Sequence, residues 1–267
     1  MYYQRTDVKR AVCGYASSGR SYGIREGAFF NRERRTFHRT IKTREGEKKP
    51  VDLTPAGISD ALQMGASAFY CSYWLYDSSD FSNPVGRDLV WTIRAEKGGL
   101  EFAKKVTKMA LEALWEAGAD PLVKYSGDMG FDIVLPLESI PFELWRGNPE
   151  ALDELQRELS EAIVSYVGSR PGVTVEHGKS TFTVKEDEKT SLLSELRVKR
   201  GLLLAPMSLN PETGLVSVPL HPWELDSFTI LDASPSRVKT REWRFDSTPN
   251  YGLLRYAKAW QAQSAKT

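Results

Sequence analysis

The sequence predicts an α+β protein in which a mostly antiparallel sheet is covered by helices on one side. Three observations carry that expectation. Residues 100–117 and 149–167 place apolar side chains at helical spacing, with Phe102, Val106, Met109 and Ala113 in the first stripe and Leu152, Leu155, Leu159 and Ile163 in the second. Residues 88–96, 133–137 and 202–204 are short β-type runs. The order strand, helix, strand, strand, helix, hairpin, strand pair then favours layers of helix on antiparallel sheet.

From the start of the chain, residues 1–30 are rich in Tyr, Gly, Ser and Arg and are expected to form an irregular or helical entry into a strand near residues 25–30. Phe37, Thr40 and Ile41 lie among basic residues, which predicts a cationic hairpin. Thr54-Pro55 opens a helix across residues 52–68, with Ile58, Ala61, Leu62 and Gly65 on one face. Residues 69–76 are an aromatic-rich strand, chiefly core. Gly98-Gly99 breaks the chain before the first long helix, and Gly118 ends that helix. A strand from Leu122, a glycine turn and the strand 133–137 follow. Residues 173–184 form a hairpin around His177-Gly178, with His177 as a turn residue. Residues 191–200 alternate charge with leucine, and 202–204, apolar on both faces, is expected to be a central strand. Residues 251–261 close the chain as a helix carrying Leu254, Tyr256 and Trp260.

Composition narrows the functional classes. At 267 residues the chain can bury a full core, and 41% hydrophobic with 27% charged residues is the balance of a water-soluble globular protein. The net charge of +1 gives no global case for nucleic acid. Its distribution does: residues 32–49 hold eight Lys/Arg against three Asp/Glu, a local +5 that leaves about −4 for the rest. Cys13, Cys71, His38, His177 and His221 are too few and too scattered for a zinc knuckle, so no zinc is expected. The two cysteines are free thiols or one bridge, and free thiols in a reducing compartment is the expectation. No run approaches the roughly eighteen apolar residues of a membrane span, and no signal-peptide pattern opens the chain. A cytoplasmic protein without a membrane partner is expected.

One stretch organises the rest. Residues 124–136 combine a turn on two glycines three apart, Gly127 and Gly130, with an alternating apolar strand; such glycines let backbone N–H groups converge on an anion, with Ser126 and Lys124 beside them. Upstream, residues 88–96 form a strand whose alternate residues Thr92, Arg94 and Glu96 share a face. Downstream, residues 202–216 read as an apolar strand, a polar turn and a second strand. In order and spacing these resemble the three motifs of the small, catalytic-type subunit of archaeo-eukaryotic DNA primases. Arg25-Glu26-Gly27-Ala28-Phe29 and Ala66-Ser67-Ala68-Phe69-Tyr70 extend the resemblance over residues 20–220. Its most specific part is Pro206-Met207-Ser208-Leu209 followed by Thr213-Gly214-Leu215.

The resemblance implies a primase-like fold: an RNA-recognition-like antiparallel module over residues 85–240, packed with an N-terminal α/β module over 1–84 and followed by a C-terminal helix over 241–267, all in one two-lobed unit. It also implies two divalent metals held by carboxylates. The metal-facing positions of the first motif fall on Thr92 and Arg94. Threonine is a poor magnesium ligand, and an arginine repels the ion. The histidine of the second motif falls on Asp132 and that of the third on Asn210; the remaining acid position falls near Val198, with Glu195 the nearest acid. Signs are reversed on both sides, which predicts an Arg94–Asp132 ion pair filling the site, because removing one side alone would strand a charge.

The leading expectation is therefore a primase-like protein without two-metal nucleotidyl transfer, binding nucleic acid or serving assembly in DNA replication or repair. No cofactor is expected. Arg32, Arg34, Arg35, Arg39, Lys42 and Arg44 are the candidate phosphate contacts, on single-stranded or primer-template nucleic acid. Lys124, Ser126, Gly127, Gly130, Asp132, Arg197, Lys199, Arg200 and Asn210 surround the former nucleotide pocket. One alternative is an active primase or polymerase using magnesium or manganese on relocated acids, Glu96, Asp132 and Glu195. Another is a scaffold partnering an active primase or another replication or repair protein.

Overall fold

The structure, a computed structural model, describes residues 2–42, 46–243 and 248–264, with side chains to residue 259. The predicted entry is a helix, α1 (Thr6–Ala16), which buries Val8, Ala11, Val12 and Tyr15. It leads to β1 (Gly27–Asn31), β2 (Thr36–His38), β3 (Thr40–Lys42) and β4 (Lys48–Pro50). The basic segment is thus divided: β2 pairs with β1, and only β3 and β4 form their own hairpin. Helix α2 (Pro55–Gln63) starts where Thr54 Oγ1 accepts the Gly57 amide at 3.1 Å. It is shorter than expected because Gly65 is left-handed, φ +84°, and turns the chain into β5 (Ala66–Ser72). The aromatic run is split between β5 and β6 (Trp74–Tyr76), which pairs with β7 (Pro84–Arg87).

The motif strand is β8 (Leu89–Lys97), followed by α3 (Gly99–Glu116), β9 (Leu122–Tyr125) and β10 (Gly130–Leu135). Strand β10 begins three residues earlier than the alternation indicated and ends before Pro136. A short α4 (Phe142–Trp145) precedes α5 (Pro149–Gly168), β11 (Val173–His177), β12 (Thr181–Glu186) and β13 (Lys189–Leu196). His177 ends a strand, edge-on to Phe182, and does not form the turn. The chain then passes through β14 (Leu202–Leu204) and β15 (Pro219–Leu220) to α6 (Tyr251–Ser264). In α6 the buried residues are Leu253 and Ala257, with Leu254 and Tyr256 half-buried; the side chain of Trp260 lies outside those described.

Two sheets organise these elements. The larger has the order β11-β12-β13-β8-β10-β9-β15, every adjacent pair antiparallel, and α3 and α5 cover one face. Trp91 in β8 shows which face, since its indole N–H donates to Ser160 of α5 at 2.8 Å. The smaller sheet has the order β14-β5-β1-β2, with α1 and α2 against β5. Residues 202–204 are therefore an edge strand, a correction to the central position expected from their two apolar faces. Leu203 and Leu204 are buried by covering segments, among them the turn at Gly127. The second strand expected at 215–216 is only a bridge, Leu209 to Val216. Val216 turns its amide to Ala233 instead, after the turn in which the Gly214 amide bonds Asn210.

Candidate functional site

Antiparallel register assembles one polar row across the face of the larger sheet opposite α3 and α5. Lys124 lies opposite Asp132, Asp132 opposite Thr92, Thr92 opposite Ser194, and Ser194 opposite Thr181. Direct partners share a face, so all five point away from α3 and α5. Arg94, two residues along β8 from Thr92, shares that face. Its Nη2 donates to Asp132 Oδ1 at 2.6 Å, and its Nη1 donates to the carbonyls of Ile93 and Phe131 at 3.0 and 2.9 Å. The ion pair inferred from the reversed signs is present.

It has a second cation. Lys124 Nζ donates to Asp132 Oδ2 at 2.5 Å and to Ser217 Oγ at 2.9 Å, and its side chain is 0% exposed. Burial pushes the Asp132 carboxyl upward, but Arg94 and Lys124 outweigh it and hold the pKa down at about 2. Burial draws the Lys124 pKa below the usual lysine value, against the pull of Asp132. The first shift favours an ionised pair and the second opposes it. Asp132 decides, because it faces two cations, and a carboxylate ionised there keeps Lys124 as an ammonium. Placed at the nucleotide pocket by its sequence position, Lys124 is enclosed and bonded to Asp132 and Ser217.

The glycine turn is likewise closed. Ser126 Oγ donates to the Gly130 carbonyl at 2.9 Å and accepts the Asp128 amide at 3.3 Å, while the Ser126 amide bonds the Gly130 carbonyl. Thr213 Oγ1 donates to the Gly127 carbonyl at 2.5 Å. Gly127 has φ +81°, and a β-carbon there would come within 2.9 Å of Asn210 Cβ. At Gly130 a β-carbon would stand 1.9 Å from the Ile93 carbonyl oxygen, so strand packing demands glycine without any phosphate. Asn210 accepts the amides of Glu212 and Thr213 and so caps its own turn. Bonds among these residues hold the turn together.

The remaining acids do not converge. Glu96 is exposed at the outer end of β8. Glu195 lies opposite Trp91, on the helix-covered face, where it pairs with Arg197. A one-residue difference in strand phase puts Ser194, not Glu195, beside Thr92. That phase is hard to read from sequence, since both faces of 191–196 carry a leucine and a polar residue. Among the described residues no group of three His, Cys, Asp or Glu is placed to hold a metal.

A second charged cluster lies on the smaller sheet. Glu26, just before β1, is 1% exposed and accepts from Arg39 Nη1 at 2.6 Å and from Arg200, through Nε at 3.2 Å and through Nη2. Arg39 Nη2 donates to the Arg200 carbonyl at 3.0 Å. Beside it Arg25 pairs with Asp88 at 2.9 Å, both side chains fully buried, and Asp88 also accepts from Tyr15 and the Leu137 amide. Arg32, Arg34, Arg35 and Lys42 are exposed; Arg44 lies outside the described residues. Lys199 is exposed, and Arg197 turns toward Glu195. The Glu26 cluster escaped sequence reading because its members lie 13 and 174 positions apart.

No protein-family model and no curated protein sequence matches the chain. Among solved structures, the polymerase domain of Mycobacterium tuberculosis ligase D in complex with DNA is similar, with a TM-score of 0.58 and 17% identity over 96% of this chain and 86% of that one. At that identity the likeness shows the fold alone, an α+β fold like that of the polymerase domain.

Proposed function

We propose that this chain is a primase-like protein that has given up two-metal nucleotidyl transfer and acts as a nucleic-acid-binding or assembly component in DNA replication or repair. One observation carries the reading. At the positions where the resemblance calls for metal-binding carboxylates stand Thr92 and Arg94, and Arg94 is held there by Asp132. Two-metal chemistry needs clustered acids to gather divalent ions around a triphosphate. Here the one acid in the row has both oxygens occupied by cations, so the reading requires no resident metal.

The exposed cations Arg32, Arg34, Arg35 and Lys42 supply the nucleic-acid contacts, and the similar structure was solved with DNA bound. That similar structure is also a polymerase domain, which keeps an active enzyme as the second reading. Two assays separate them. The first reading expects no primer synthesis or extension with magnesium or manganese, and salt-sensitive binding to single-stranded DNA that weakens when Arg34 and Arg35 are neutralised. Manganese-dependent extension that disappears in Glu96→Ala would overturn it in favour of the enzyme. Absence of nucleic-acid affinity together with co-purification of a primase subunit would favour a scaffold.

A further inference from the structure

We infer that Arg39 and Arg200 form a clamp for the phosphodiester backbone of single-stranded nucleic acid, with Glu26 as the residue that positions both; this rests on the nucleic-acid binding proposed above and gives it a location. The carboxylate is buried while the two arginine side chains are 35% and 49% exposed, so each is held from beneath and still reaches the surface. One acid and two arginines leave the cluster net positive, and exposed Lys199 adjoins it in sequence.

The turn that carries Arg200 is fixed to an unusual degree. Val198 O accepts the Gly201 amide, the Tyr73 hydroxyl and the Trp74 indole N–H, each at 2.9 Å. Arg200 is left-handed, φ +56°, a conformation that normally selects glycine. Glycine stands instead at 201, where a β-carbon would lie 2.1 Å from the Tyr73 hydroxyl. Exposed Arg35 shares that conformation at φ +52°, so what sets Arg200 apart is the fixed turn beneath it and its bond to buried Glu26. The ligand is single-stranded because the neighbouring surface suits unpaired bases: Phe37 is 44% exposed on the same sheet, with the Arg39 guanidinium 5.9 Å from its ring centre.

The sign of one substitution separates positioning from charge. Glu26→Gln removes a negative charge, so charge alone predicts tighter binding of labelled oligothymidylate; the clamp predicts binding about tenfold weaker. Should that variant fail to fold, Arg39→Gln with Arg200→Gln alters side chains that reach the surface and leaves two amide NH2 groups to donate to Glu26. The double variant is expected to lose at least about tenfold in affinity and to flatten the log K against log salt slope by about 1.4, two phosphate contacts on a single strand. The control, Arg34→Gln with Arg35→Gln, removes equal charge and is expected to lose less. Equal losses in the two double variants, or tighter binding by folded Glu26→Gln, overturn the clamp while nucleic-acid binding stands. Tripolyphosphate binding abolished in the Arg39/Arg200 double variant, with oligothymidylate binding unchanged, would make the site one for a nucleotide's phosphates and also overturn it. A wild-type chain with no affinity for oligothymidylate removes both the clamp and the reading beneath it.

Discussion

Asp132 and Glu26 are each a buried carboxylate gripped by two cations, yet they do opposite things. At Asp132 one partner, Lys124, is wholly enclosed, and the other, Arg94, has turned Nη1 onto two strand carbonyls. At Glu26 both partners reach it from the rim. The same inventory of charge makes a lock in the first place and a presented surface in the second. What differs is one cation: Lys124 is wholly enclosed and has no route to water if the acid is removed, whereas Arg94, Arg39 and Arg200 are already partly in it. Arg25 and Asp88, both fully buried, stand at the extreme of the first kind.

The comparison breaks most easily on stability. Asp132→Ala leaves a buried ammonium without its counter-ion and is expected to cost about 3–5 kcal/mol in urea denaturation. Glu26→Ala leaves arginines that can swing into solvent and is expected to cost about 1–3 kcal/mol. Equal losses would mean that the two clusters are alike and that enclosure does not decide. Next in size is Gly130→Ala, expected to cost about 3 kcal/mol, because the added carbon meets backbone 1.9 Å away. Gly127→Ala, opposed by its φ of +81° and by Asn210 Cβ at 2.9 Å and the Leu215 carbonyl oxygen at 3.2 Å, is expected to cost about 2 kcal/mol. If Gly130 tolerated alanine, the strand-packing account of the glycine turn would fail and a ligand role would return.

Acid sharpens the same contrast. The Asp132 carboxyl is held at about 2 in the folded chain, below the roughly 3.9 of an unfolded aspartate. A depressed carboxyl contributes stability that is complete above the unfolded value and is lost as pH falls through the folded one. The expected contribution is about 2 kcal/mol, present above roughly pH 4 and gone near pH 2. Lys124 adds nothing in that window, being protonated in both states. Urea midpoints measured from about pH 5 to 2 should fall more steeply for the wild type than for Asp132→Asn. Parallel curves would show that Asp132 is not ionised in the fold.

Much of this was legible in the sequence, and the limits are physical. Helices α3 and α5 announce themselves because a 3.6-residue stripe over about five turns has few competing explanations. The Arg94–Asp132 pair could be foreseen because the resemblance sets a base on one motif strand and an acid on the other. Enclosure of Lys124 could not, since it depends on Ser217 and on β15 arriving from nearly a hundred residues downstream. Glu195 was misplaced for a local reason: in β13 neither face is wholly apolar, so alternation leaves the phase undetermined. Residues 202–204 read as central because a run apolar on both faces suggests strands on two sides. Covering loops achieve the same burial at an edge.

The smallest expected effect tests whether the lock can open to a metal. A relocated site would need Glu96 and Asp132 to share a divalent ion, with Arg94 and Lys124 both leaving Asp132. Glu96 is exposed at the end of β8, so Glu96→Ala should change stability by less than about 0.5 kcal/mol. Manganese should leave the Tm of wild type and variant equal to within about a degree. A site filled at a hundredfold excess over its Kd would contribute about 2.7 kcal/mol, which for a domain near this size raises Tm by roughly 5–10 °C. A rise of that order in the wild type, absent from Glu96→Ala, would mean that Asp132 prefers a divalent ion to its two cations. The Arg94–Asp132–Lys124 cluster would then be an open metal centre and not a closed one.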